Sequence, residues 1–107
     1  MRAKWLVRDI DTGRPAFGIR DNGVGTCMLG GPLRYEAQMR YVLDRLECEI
    51  TDEKCDGSRV RFFGKLPANV APLGWGGTFL EEEKLRVILL SMRLRIEAVK
   101  VFRRFMG

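Results

Sequence analysis

The chain of 107 residues contains no histidine, so the commonest general base, metal ligand and neutral-pH switch are all missing from its chemistry. Its thiols are Cys27, Cys48 and Cys55. Their odd number and the lack of any CxxC spacing point away from a disulfide framework and a zinc ribbon, and Cys27 as a nucleophile would have no histidine beside it. Asp9, Asp11 and Asp21 could gather near one end of a hairpin, although carboxylates at turns ordinarily cap backbone N–H groups. The basic residues are more suggestive. Lys100, Arg103 and Arg104 are interleaved with Phe102 and Phe105, and Arg59 and Arg61 alternate within a strand-like run, which combines charge for a phosphate backbone with rings for stacking. No catalytic residue, metal site or cofactor is expected, and nucleic acid is an alternative partner.

Two glycine-rich runs stand out. Arg20-Asp21-Asn22-Gly23-Val24-Gly25 resembles the DNGxG box of the GHKL ATPases, and Gly74-Trp75-Gly76-Gly77 is similar to their later glycine box. Confined to these runs, the resemblance would imply an Asp21 carboxylate against an adenine amine and glycines that make room for nucleotide. In that family the box follows a helix bearing a metal-binding Asn or Glu, which does not fit before Asp21. A tight hairpin whose Asn22 and Gly23 supply positive φ accounts for the same residues. Leu66 to Gly77 has no periodicity but carries Pro67, Pro72 and Trp75, and long irregular loops are often functional. A second alternative follows: a small molecule walled by Trp5, Phe63 and Trp75, with the Trp75 loop as lid.

A chain of this length fits one domain, residues 1–107, able to bury roughly 65% of its unfolded surface. Hydrophobic residues at 46% and charged residues at 31% are ordinary for a globular protein. The net charge of +5 favours acidic partners and also suffices to keep a small domain soluble. The longest apolar run, Val87 to Leu90, is far short of the roughly 20 residues that cross a bilayer. No apolar signal core follows the N-terminal charges, so the expected setting is a reducing cytoplasm with no membrane partner.

Ala3, Trp5 and Val7 alternate with Lys4, Leu6 and Arg8, a period of two that predicts a strand. Phe17 and Ile19 alternate with Gly18 and Arg20 as a second strand, and Asn22-Gly23 predicts a two-residue type I′ turn into a third from Val24 to Leu29. That turn would set Ile19 opposite Thr26 and Phe17 opposite Met28. Gly30-Gly31-Pro32 ends the meander, and a helix is expected from about Leu33 to Glu49 with Tyr35, Met39, Val42, Leu43, Leu46 and Ile50 along its apolar side. Thr51 to Ser58 is polar and turn-rich; Val60 and Phe62 then alternate with Arg59 and Arg61 as a fourth strand.

Thr78 followed by Glu81 forms a capping box, and the run Glu81 to Glu83 suits a helix start. From Phe79 to Phe105 the expected helix would be roughly 40 Å long. At 100° per residue, Leu85, Ile88, Leu89, Met92, Ile96 and Val99 form one apolar stripe, and Val87, Leu90, Leu94, Ala98, Val101 and Phe105 form a second facing the other way. A helix apolar on opposite sides must be covered twice, because each large side chain left wet forgoes roughly 1.5 to 3 kcal/mol. The second stripe is therefore the expected interface, with a homo-oligomer, a dimer first, or a protein partner as its cover; the first helix in a three-layer monomer would serve as well. The expected fold is α+β, an antiparallel sheet of about four strands (the N-terminal meander plus one) under two helices, the C-terminal one long. The expected function is a non-catalytic interaction protein that works through that helix, in the manner of phage or mobile-element accessory proteins.

Overall fold

Residues 3–67 and 80–99 are described by a computed structural model of the chain. The period-two segments near the N-terminus form β1 (Ala3–Asp9), β2 (Pro15–Asp21) and β3 (Thr26–Pro32), an antiparallel meander. A 3-10 turn at Leu33–Tyr35 leads into α1 (Glu36–Arg45), after which the chain returns as the hairpin β4 (Glu49–Asp56) and β5 (Arg59–Lys65). The remaining elements are α2 (Glu82–Leu90) and β6 (Leu94–Ala98). All these strands join one antiparallel sheet in the order β4-β5-β3-β2-β1-β6.

The core lies on one face of this sheet. Trp5, Ile19, Leu29 and Phe62 are paired in line across β1, β2, β3 and β5. Met39, Val42 and Leu43 of α1 and Leu85, Ile88 and Leu89 of α2, each set at the i, i+3, i+4 spacing of a helix face, complete the same buried cluster. The Trp5 indole N–H donates to Glu82 Oε1 at 3.0 Å and ties β1 to α2. At Gly31 a side chain has no room: a Cβ would stand 2.7 Å from Phe17 Cβ and 2.9 Å from the Ala16 carbonyl oxygen.

The long C-terminal helix is not formed. α2 ends at Leu90, and the residues expected to prolong it turn through Ser91–Arg93 and re-enter the sheet as β6 beside β1. Arg93 makes the turn at φ +57°. Its N–H donates to the Leu90 carbonyl at 3.0 Å and its own carbonyl accepts the Ile10 N–H at 3.1 Å. Its guanidinium hydrogen-bonds and ion-pairs Asp11, which holds that carboxyl below the usual range. In β6, Leu94 and Ile96 are buried on one side while Arg95 and Glu97 face outward. Residues two apart, which a helix throws to nearly opposite sides, share one side of a strand, and the two-sided rod disappears.

The other corrections have local causes. The sheet has six strands, not about four: β6 is one addition, and the other is β4, which takes up most of Thr51 to Ser58, expected as turn, and whose residues are all exposed and therefore show no apolar alternation. The first helix stops at Arg45 rather than Glu49: Glu47 sits at φ +58°, its N–H bonds the Asp44 carbonyl at 2.9 Å and the Cys48 N–H bonds the Leu43 carbonyl at 2.9 Å, which is a Schellman ending. The β2–β3 loop spans Asn22 to Gly25, with Gly23 and Gly25 both at positive φ, so the expected register is displaced and Ile19 faces Leu29 instead of Thr26. Among the described residues no helix is long and apolar enough to cross a membrane.

Candidate functional site

Among the described residues both helices lie on the core side, so the second face of the sheet is turned outward. Alternate residues of a strand point to opposite faces, and the pairing therefore fixes which side chains share the outward one. One row crosses all the strands: Glu97, Leu6, Gly18, Gly30, Arg61 and Lys54. The next row is Lys4, Arg20, Met28, Phe63 and Asp52. Arg95 and Arg8 face each other at the β6 side, while Pro32, Arg59 and Asp56 form a short row at the β4 side.

Two depressions adjoin on this face and share Met28 and Gly30. The first, of ≈ 260 Å³, is bounded also by Lys4, Leu6, Gly18, Arg20 and Val99. The second, of ≈ 370 Å³, is bounded also by Lys54, Asp56, Arg59 and Arg61. One is walled chiefly by hydrocarbon and bare backbone, the other by cations with a single carboxylate among them.

The charge on this face is largely unneutralised. Arg8 and Arg95 are paired with Glu97, at 3.2 and 3.6 Å, but Lys4, Lys54, Arg59, Arg61 and Lys65 form no ion pair with any described residue. Lys54 Nζ lies 5.7 Å from the centre of the Phe63 ring, a cation–π contact within one outward patch. Arg20 Nε donates to Asn22 Oδ1 at 3.1 Å, which draws its guanidinium along the sheet toward Met28 Sδ, 3.7 Å from Nη2. Asp52 and Asp56, both on the edge strand β4, bound the cationic zone on that side.

Comparison with family models, with curated proteins and with solved structures finds no match. What this face can do follows from its own side chains.

Arg59 and Arg61 are exposed and lie on the same outward side of β5, as their spacing predicts. Lys100, Arg103, Arg104, Trp75, Val101 and Phe105, together with Thr78 of the capping box, lie outside the described residues. Of the other expected interface residues, Leu94 is core at 2% exposed, Ala98 is exposed at the end of β6, and Val87 and Leu90 stay exposed on α2 at 67% and 52%. Trp5 cannot wall a pocket with Phe63, because Trp5 is buried on the core side and Phe63 lies on the outward one.

Asp21 is fully buried; Oδ1 accepts the Gly23 N–H at 2.8 Å and Oδ2 the Leu80 N–H at 2.7 Å. This carboxylate fixes the hairpin loop against the approach to α2, and the DNGxG-like run is a loop between two strands rather than the sequel of a helix. Asp9 caps the N–H groups of Asp11 and Thr12, at 2.8 and 3.0 Å, at the other end of β2, so the three aspartates do not gather. Cys27, buried, and Cys48 stand 3.8 Å apart, sulfur to sulfur. Their hydrogen bond, then burial, pushes the Cys27 thiol up, while the same bond holds Cys48 below its ordinary value.

Leu6, Gly18, Met28, Gly30 and Lys54 are not marked as functional by type or motif, whereas Phe63 is expected as a pocket wall and Arg20 opens the DNGxG-like run. The signal for most of them is parity: each is the odd partner of a core residue, and only the pairing of the strands shows that these partners meet.

Proposed function

We propose that this protein binds single-stranded nucleic acid across the outward face of its sheet. The observation that carries the reading is the cationic depression of Lys54, Arg59 and Arg61, none of them paired with a described acid, set beside Phe63, Met28 and Leu6 on a face with no described helix over it. Lone cations attract phosphate, and release of the counterions condensed on a strand supplies much of the binding free energy. Half-buried ring and thioether surfaces next to them suit unpaired bases, whose flat faces a duplex keeps stacked inside. The net charge of +5 favours the same partner at longer range.

Association with a second copy or another protein loses much of its footing. Val87 and Leu90 remain outward on α2, but Leu94 has joined the core, and a few isolated apolar residues are common on any surface.

Fluorescence anisotropy with a labelled single strand of mixed sequence tests the proposal. At about 50 mM salt the protein should bind, and log K should fall linearly with log salt at about 0.7 per neutralised phosphate. The double variant Arg59→Glu, Arg61→Glu should weaken binding by about tenfold or more and flatten that slope. No binding at low salt, or binding indifferent to the double reversal, contradicts it.

A further inference from the structure

Gly18 and Gly30 are paired directly across β2 and β3, at the centre of the outward face. Neither has the positive φ that favours glycine. Neither is squeezed by the described residues: among them a Cβ at Gly18 would meet nothing closer than 3.9 Å, and one at Gly30 nothing closer than 3.6 Å. A glycine inside a strand weakens it, and where neither positive φ nor crowding by the described residues calls for one, close approach of a ligand is a reason for it to stand there. Gly31, the next residue, shows the contrast, since on the core side a Cβ collides.

The two glycines are the floor of the ≈ 260 Å³ depression, with Leu6, Met28 and Val99 around them. The ladder places Arg61 one strand step from Gly30 and Lys54 two steps, at about 4.8 Å per step. Arg61, Lys54 and Arg59 bound the adjoining cationic depression, which shares Gly30 with the first. A flat, apolar-walled seat next to a cationic one matches the two chemically unlike halves of a nucleotide.

We infer that the Gly18–Gly30 depression seats a nucleobase of a bound single strand, lying flat on exposed backbone between Leu6 and Met28, while the phosphate next to it meets Arg61, Lys54 and Arg59. This rests on the strand-binding reading and sharpens it, because charge alone would hold a strand without regard to its bases. Asp56, on the far side of the cationic depression, sets the limit of the phosphate seat by repulsion.

The test compares two labelled strands of equal length and charge, oligothymidylate and its abasic counterpart, on the full chain and on Gly18→Val, with Gly18→Ala as the gentler variant. Wild type should hold the base-bearing strand about tenfold more tightly than the abasic one. Gly18→Val should erase that preference while abasic affinity stays the same, and its thermal midpoint should not fall, because the described residues leave the added Cβ at ordinary contact distance and valine suits a strand. Gly18→Ala should narrow the preference and report on the seat even if the valine variant does not fold. Equal affinity of wild type for the two strands, or an undiminished preference in a folded Gly18→Val, overturns the base seat and leaves strand binding intact. Failure of both strands to bind at low salt overturns the strand-binding reading, and the seat with it.

Discussion

Cys27 and Cys48 face each other at 3.8 Å, one on β3 and one just past the end of α1, and their protons are unequally held. The hydrogen bond between them and the burial of Cys27 keep that thiol protonated; the same bond, with Lys84 nearby, eases ionisation of Cys48. Since the thiolate is the reactive form, iodoacetamide should modify exposed Cys55 first, Cys48 next and Cys27 only on unfolding. Raising the pH from about 7 to 9 should accelerate Cys48 before it touches Cys27, because Cys48 is the member whose ionisation is shifted down. Peptide mapping by mass spectrometry reads the order; equal rates at Cys27 and Cys48 in the folded protein would contradict it. No spacing in the sequence hinted at this pair, which only the return of the chain after α1 brings together.

Two helix ends explain most of what the sequence misstated about the elements. Helices commonly end on a glycine in the left-handed region, and that glycine is the strongest stop signal a sequence offers. Here the position is filled by Glu47 after α1 and by Arg93 after α2. With no glycine to mark the ends, the apolar periodicity of each helix runs on in the sequence, into β4 in one case and through β6 in the other. Leu94, Arg95, Ile96 and Glu97 do alternate with a period of two, but four residues of alternation cannot outweigh the helical pattern imposed from Leu85 onward. A left-handed residue with a Cβ costs about 1 to 2 kcal/mol. Glu47→Gly should therefore stabilise the protein by about 1 kcal/mol, raising its urea midpoint at unchanged m-value. Arg93→Gly should gain less, since it also removes the Asp11 ion pair. A lowered midpoint in Glu47→Gly would count against the Schellman ending.

At the scale of the whole molecule, the described residues give a sheet with helices on one side and basic side chains on the other. The helix side was largely legible: Trp5, Val7, Phe17, Ile19, Val60 and Phe62 alternate plainly, and all are buried. The other side was not, apart from Arg59 and Arg61, because its members belong to six strands that adjoin only through a strand order no local pattern encodes. Gly18 carries no signal in the sequence and Gly30 reads there as the end of the meander, yet β3 runs through it to Pro32, and the two acquire meaning only as ladder partners. The central claim is that this outward face is where the protein works. An amide-resolved NMR titration with oligothymidylate tests it most directly. Shifts should concentrate at Gly18, Met28, Gly30, Arg61 and Phe63 and leave Met39, Val42, Leu85 and Leu89 on the helices undisturbed; shifts confined to α1 and α2, or none at saturating strand, would contradict it.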